Sequence, residues 1–242
     1  ASVDLSTGSA STGVAGGFMY NSVDSINNAY IHDAIISVDG NTSNEDEAIS
    51  IDAINEEEIL NIAIGGAVAP KGNTVVGQVG INRIDNVTTA SMLDSNIIAG
   101  EKIAVNATDK AKIQSYIGSG SGTGKAFVGI GASVGVQDID ATTTAKIENS
   151  SIAGTSESIY GDLEVGAQEK SEIISIVGTA SGGLANMSGA FSVSANDVDT
   201  STNAYIDSDE NIKANAIKVA AKNLANSTIG VGSVSVGKIS VG

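Results

Sequence analysis

The chain reads as an all-β solenoid, and three observations point there. The first is a recurring stretch. Val79 to Met92 reads VGINRIDNVTTASM, with apolar residues at Val79, Ile81 and Ile84 and again at Val87, Ala90 and Met92. Val79-Gly80-Ile81 and Ala90-Ser91-Met92 alternate with the period of two that a strand with one buried face requires. Related stretches run from Phe18 to Ile31, from Val134 to Ile147 and from Val193 to Ile206. The second observation is spacing. Anchor alanines at 29, 90, 145 and 204 are 61, 55 and 59 residues apart, and the aliphatic anchors Val23, Ile84, Ile139 and Val198 repeat those intervals. The third is composition: 41% hydrophobic but only 3% aromatic, with 29 glycines and 1 proline, so a core here must be built of small aliphatic side chains. β-Branched residues mixed with Ser, Thr, Gly and Asn are strand-and-turn chemistry, and a periodic aliphatic content this high excludes a disordered chain.

A further partial copy, Val234 to Ile239, puts its aliphatic anchor only 41 residues after Val198, 18 short of the interval before it. That deficit predicts coils of about 20 residues, three to a large repeat, a size typical of stacked repeats. The whole chain, 1–242, then forms a single solenoid of four large repeats and a truncated fifth. About twelve coils at the inter-strand spacing give a rod about 55–60 Å long.

Taken in order, residues 1 to 17 already lie inside the pattern, with Gly8, Gly13, Gly16 and Gly17 resembling Gly118, Gly120, Gly122 and Gly124. Glycine-rich runs precede the signature strand at 65–72, 118–124 and 178–183. They read as turns, where glycine takes a positive φ without steric cost. Within the signature, the pairs Asn82-Arg83 and Asp85-Asn86 interrupt the alternation as corners would. A second strand follows at Ile35–Val38, Asn96–Ala99, Ser151–Ala153 and Asn211–Ala214. A third, at Ala48–Ala53, Lys102–Ala107, Asp162–Ala167 and Ala216–Ala221, carries Ile/Leu-x-Val/Ile-x-Ala in every copy. A fourth lies around Ile59, Ile113, Ile173 and Leu224. Copies differ by polar insertions at 40–47 and 155–161, which a solenoid tolerates as loops because only its strands stack. Asn55 to Glu58 could make one helical turn but sits between strands, so no helix is expected. Successive turns of backbone should lie over one another, with Ile81, Val136 and Ala195 pointing into continuous internal columns.

Net charge is −16, from 28 acidic and 12 basic residues, which argues against partners such as nucleic acid or an anionic membrane. No run of 18 apolar residues is present, so neither a transmembrane helix nor stable membrane insertion is expected. Cysteine is absent, as suits an exported protein in which a stray thiol would misbridge. Ala1-Ser2-Val3-Asp4-Leu5 is no signal peptide, so the chain reads as processed or as a piece of a longer one.

Few residues invite chemistry. Arg83 and His32 are each the sole residue of their type. His32 aligns with Glu148 and Asp207 at what reads as an exposed turn, a surface position rather than a catalytic one. The clusters Glu45-Asp46-Glu47 and Glu56-Glu57-Glu58 offer oxygen ligands for calcium, but the Gly-Gly-x-Gly-x-Asp spacing of calcium-binding solenoids is missing. They read as solvated charges that discourage lateral strand pairing. Thr88-Thr89, Thr143-Thr144 and Thr202 recur once per large repeat, too sparsely for an ice-binding face, and read as cross-strand ladders. Asn86-Val87-Thr88 and Asn106-Ala107-Thr108 match glycan acceptor sequons, as chance allows in so Asn- and Thr-rich a chain. No catalytic, cofactor-binding or metal-binding residue is assigned, and no cofactor is expected.

The joint pattern V-x-[IV]-N-x-I-x-N-x-T-x-A-x-I, then S-x-[IV]-x-A and I-x-V-x-A, is carried here by Ile81 to Met92, Ser95 to Ala99 and Ile103 to Ala107 and their equivalents. It resembles the repeats of filamentous-haemagglutinin-type exoproteins of two-partner secretion and of the related fusobacterial leukotoxin-like proteins. The resemblance covers essentially the whole chain. It implies a right-handed parallel β-helix, export through an outer-membrane transporter, a secreted or cell-surface location and an adhesive or cytotoxic role toward host cells. Together the readings predict a non-enzymatic structural shaft of a surface adhesin. The alternatives are a segment of a leukotoxin-like cytotoxin and a subunit that stacks end to end with itself into an extracellular filament. An acidic polysaccharide-active enzyme is disfavoured by the missing tryptophan and the scarcity of bases.

Overall fold

A computed structural model of the chain describes residues 2–7, 12–38, 47–124, 128–155, 161–183 and 187–242. Nearly all of them lie in parallel strands, and no helix is found among the described residues. The strands are β1 (Ser2–Thr7), β2 (Thr12–His32), β3 (Ile35–Val38), β4 (Glu47–Ala69), β5 (Asn73–Leu93), β6 (Asn96–Ala99) and β7 (Lys102–Thr123). They continue as β8 (Val128–Glu148), β9 (Ser151–Ala153), β10 (Leu163–Gly183), β11 (Met187–Asp207), β12 (Ile217–Val236) and β13 (Ile239–Val241). Three parallel sheets result, ordered β1-β4-β7-β10-β12 (sheet A), β13-β11-β8-β5-β2 (sheet B) and β3-β6-β9 (sheet C). The chain visits A, B and C in turn, as a solenoid requires, consistent with a right-handed β-helix.

The register sets the size of the coil. Ala63 pairs with Ile117, and Ile117 with Val177, partners 54 and 60 residues apart. In sheet B, Ala29, Ala90, Ala145 and Ala204 form one unbroken column, so the sequence anchors do stack. One turn is therefore the whole large repeat. The unit of about 20 residues survives as the length of one side, since the long strands run 20–23 residues. Ile239 pairs with Met187, 52 residues earlier, and not with the equivalent of Val198, which removes the deficit that had suggested short coils. The molecule is accordingly wide and short. Five stacked strands rise about 19 Å while each long strand spans about 70 Å, in place of a narrow rod three times as tall. Its accessible surface of 11691 Å² exceeds the roughly 10,000 Å² usual for a compact monomer of this mass, as a flat shape demands.

Neither Asn82-Arg83 nor Asp85-Asn86 makes a corner. β5 runs straight through both pairs. In an unbroken strand the period of two admits one phase only, and Ile84, Ala90 and Met92, all fully buried, fix it. Ile81 has the opposite parity and faces outward, as do Val136, 37% exposed, and Ala195. The expectation that these three line the interior is corrected by that parity; Asn82 and Gln137 go inside instead, both fully buried.

Turn chemistry is also reassigned. Gly118, Gly120 and Gly122 are strand residues of β7, and Gly178 and Gly182 lie in β10. The left-handed corners between sheets B and C are taken by Asp33, Asp94 and Asn149, with φ of 52°, 48° and 48°. Asp and Asn tolerate this conformation better than other side chains. The backbone N–H of each corner residue donates to the coil above (Asp33 to Leu93, Asp94 to Glu148, Asn149 to Asp207). Ser95 and Ser150 brace the same corner, each hydroxyl donating to the carbonyl two residues back, at 2.7 and 2.8 Å. The second strand of the sequence pattern is sheet C in three copies; in the fourth, Asn211–Ala214 forms no strand, and Ile212 makes a single bridge to Ile152. The third and fourth are the two halves of the long strands of sheet A, and Asn55 to Glu58 is strand. Gly8 and most of the two polar insertions lie outside the described residues.

Where sheet C closes the coil, the core is as the pattern predicts. Ile49, Ile103 and Leu163 stack, as do Ile51, Val105 and Val165, and then Ala53, Ala107 and Ala167. They pack on the Ala90, Met92 and Ile97 columns. Next along, Ile59, Ile113 and Ile173 of sheet A meet Ile84 and Ile139 of sheet B. Ile139→Ala should cost about 2–5 kcal/mol in urea unfolding, while Val136→Ala, three residues away on the outer face, should cost less than about 1 kcal/mol. The reverse order would assign the opposite phase to the strand.

Candidate functional site

Toward the Pro70 turn the interior becomes mixed. Inward positions there interleave amides, hydroxyls and glycines with two small apolar clusters, one of Ala63, Ile117 and Val177 and one of Ala15, Ala67 and Val76. Asn21, Asn82, Gln137 and Asn196 form one inward column of sheet B. Asn82 Oδ1 accepts from Asn21 at 2.8 Å and from Asn61, across the interior, at 3.0 Å. Ser119, Ser133 and Thr179 join hydroxyls across the two sheets at 2.9–3.3 Å. The interior is narrow. A Cβ on Gly80 would lie 2.6 Å from Ile117 Cδ1, and one on Gly135 would lie 2.9 Å from Val177 Cγ2, so glycine on one sheet makes room for the aliphatic side chain on the other. The amides of Gln78 and Gln137 are buried with neither end bonded to another protein group.

Between the two halves sits a column of carboxylates. Asn55, Asp109, Glu169 and Asn223 occupy one inward column of sheet A. Asp109 and Glu169 are fully buried. Asp109 accepts from Thr88 Oγ1 at 2.7 Å, Asn55 Nδ2 at 3.1 Å and Asn86 Nδ2 at 3.2 Å. Glu169 accepts from Ser171 and from Thr143 Oγ1 at 3.2 Å. Glu57, the next inward position after Asn55, accepts from Asn86 at 2.6 Å. Burial pushes the Glu169 carboxyl up to about 7, the repulsion and hydrogen bonding of Asp109 push the same way, and the Ser171 and Thr143 hydroxyls pull back. Burial also raises Glu57. Asp109 and Glu169 are closed off from solvent, and burial keeps the Glu169 carboxyl protonated to a higher pH than usual.

The outer face of sheet B is apolar over the same half. Its columns, read across the coils, are Val14-Val75-Ile130, then Phe18-Val79-Val134-Val193, then Tyr20-Ile81-Val136-Ala195. Phe18 is 67% exposed and Val193 57% exposed, so the patch is open. Two columns on, the face turns acidic with Asp24, Asp85, Asp140 and Asp199. Arg83 lies 3.0 Å from Asp85 and 3.6 Å from Asp138, whose carboxyl is raised, chiefly by burial. On sheet A, opposite charges meet between coils, Glu56 with Lys110, Glu58 with Lys112, and Lys102 between Glu47 and Glu164.

Residues singled out from the sequence are thus dispersed. His32 points outward, half exposed, its Nε2 3.3 Å from Asp94. Glu56-Glu57-Glu58 is divided by the strand, with the outer two facing solvent and Glu57 facing in. Glu45 and Asp46 lie outside the described residues, and Glu47 pairs with Lys102. The threonine pairs split likewise: Thr88, Thr143 and Thr202 stack inward, with the first two bonded to the buried carboxyls, while Thr89 and Thr144 face out. Asn86 is buried, so its sequon is unreachable once folded, and Asn106 is bonded to Asp52 at 3.1 Å. No group of three or more His, Cys, Asp or Glu side chains suited to a metal is found among the described residues. Asp109 and Glu169 escaped the sequence reading although a signal was there. Continuing Ile103-x-Val105-x-Ala107 by the same step of two lands on Asp109. In comparisons with protein-family models, curated proteins and solved structures, nothing matches this chain.

The raised carboxyl makes stability depend on pH. The folded pKa of Glu169, about 7, lies above its ordinary 4.5. Stability from this group is therefore complete below the lower value and is lost as pH rises through the higher one. Glu169→Gln should raise the unfolding free energy at pH 8 by up to about 3 kcal/mol and lose that advantage at pH 4. Urea titrations at the two pH values check it, and an equal effect at both contradicts it.

Proposed function

We propose that this chain is a non-enzymatic structural shaft segment of a secreted or surface-displayed bacterial adhesin. One observation carries the reading, the unfinished column at the β12 end. Ile217, Val219, Ile229 and Val231 continue the inward columns of β10, yet they are 53%, 44%, 50% and 49% exposed, because no described coil covers them. The backbone edge of β12 is likewise unpaired among the described residues. An edge with a ready register and an apolar column is completed by another coil of the same kind. Coil-to-coil charge pairs such as Glu56 with Lys110 favour one register over its neighbours, as a long shaft needs. The haemagglutinin-type resemblance of the repeats supplies the context of export and surface display.

The same open edge favours a second reading, a subunit that stacks end to end on other copies. Electron microscopy of the purified chain separates the two. A shaft segment gives discrete slabs about as tall as five stacked strands, roughly 20–25 Å. Fibres at low micromolar concentration would transfer the assignment to a stacking subunit. Killing of leukocytes by this chain alone would transfer it to a cytotoxin segment.

A further inference from the structure

The outer face of sheet B is built for contact. Four adjacent outward columns, from Val14 to Tyr20 along β2 and their partners on β5, β8 and β11, hold no charged residue. Counted at full width, the four columns cover about 27 Å and the four strands about 19 Å, a footprint of about 500 Å². Exposed apolar patches of that size, at the upper end for a monomer, mark interaction surfaces. We propose that this face docks on the same face of a second copy, across a two-fold axis parallel to the direction in which the coils stack.

Charge selects both the partner and the axis. That two-fold maps the apolar block onto itself and sends the acidic columns, led by Asp140 and Asp138, beyond opposite ends of the block. It also brings the turn holding Lys71 in each copy toward the acidic columns of the other, since Lys71 lies as far to one side of the block as Asp85 lies to the other. A two-fold along the strands would instead set aspartate against aspartate, in a chain of net charge −16. A contact between identical patches closes as a dimer, whereas docking on the glycine-rich outer face of sheet A would propagate without limit. Two such footprints bury about 1,000 Å² in total, the lower bound for a specific interface, so the dimer is reversible and depends on concentration. More coils in register would strengthen it, which ties the contact to a shaft that is bundled side by side.

Sedimentation velocity over a concentration series tests the proposal. The mass should rise from 24.1 kDa toward twice that value and stop there. Val134→Lys, at the centre of the face, should remain monomeric with an unchanged β-type circular dichroism spectrum, while Ile176→Lys on the outer face of sheet A should dimerise as the parent does. The chain has no cysteine, so single spin labels report the axis directly. Labels at Val134→Cys should lie within about 20 Å of each other across the dimer, and labels at Asp140→Cys beyond about 40 Å. A parent that stays monomeric at every concentration overturns the proposal, as does growth past the dimer or a Val134→Lys variant that dimerises normally. Short distances at Asp140 would overturn the axis. Binding of a monomeric parent to phosphatidylcholine vesicles would assign the face to a lipid surface instead.

Discussion

Inter-coil backbone hydrogen bonding ties each residue to the one a full large repeat away, and nearly everything else follows from that pairing. Because the pairing is parallel and in register, every side chain sits on its own equivalent, and many columns keep one character while others mix, as Asn55-Asp109-Glu169-Asn223 does. Ala29-Ala90-Ala145-Ala204 and Asn21-Asn82-Gln137-Asn196 are two products of one rule, a few residues apart on the same strands. Stacking rewards similarity between copies more than hydrophobicity at any single position. Amides can therefore stack in the interior where neighbours bond one another, as Asn21 bonds Asn82.

The second constraint is the unbroken strand. A side of 20–23 residues without a corner leaves no place to change phase, so the inward set is fixed at one end and carried to the other. The aliphatic half chooses the phase, since Ile84, Met92, Ile97 and Ile113 are fully buried together. The other half inherits it, which puts Ser119, Ser133 and Thr179 inside and Val75, Val79 and Ile81 outside. Hydroxyl and amide networks satisfy part of the interior, and Gln78 and Gln137 remain unbonded to protein groups. The exposed apolar columns on one face and the carboxyl pair at the border of the two halves are consequences of one phase imposed on a sequence with two patterns.

Much of this was legible in the residues. The large repeat, the second strand at Asn96–Ala99 and the inward Ile-x-Val-x-Ala columns follow from composition and spacing, and the register bears them out. What spacing could not give was the length of a side. Asn82-Arg83 and Asp85-Asn86 look like corners because Asn and Asp favour turns, a local preference that inter-coil pairing overrides here. Treating Ile81 and Ile84 as members of one inward set required a corner between them, and without it their parities conflict. Similarly, glycine at Gly118 and Gly120 suggested turns but lies in strand, while the positive φ angles among the described residues fall at Asp33, Asp94 and Asn149 and, of the glycines, at Gly183. The buried Asp109 and Glu169 could have been found by extending the step of two past Ala107 and Ala167, had the strand been recognised as continuous.

The register itself can be measured. Cysteines at Ile81 and Val136, residues of opposing β5 and β8, would have Cα atoms about 5 Å apart, within disulfide range. Oxidation of dilute Ile81→Cys/Val136→Cys protein should give an intramolecular disulfide in high yield, and Ile81→Cys/Glu101→Cys, 20 residues apart in sequence, should give none. Cross-linking of the second pair and not of the first would mean that the chain closes a turn every 20 residues, and the long-sided coil would have to be abandoned.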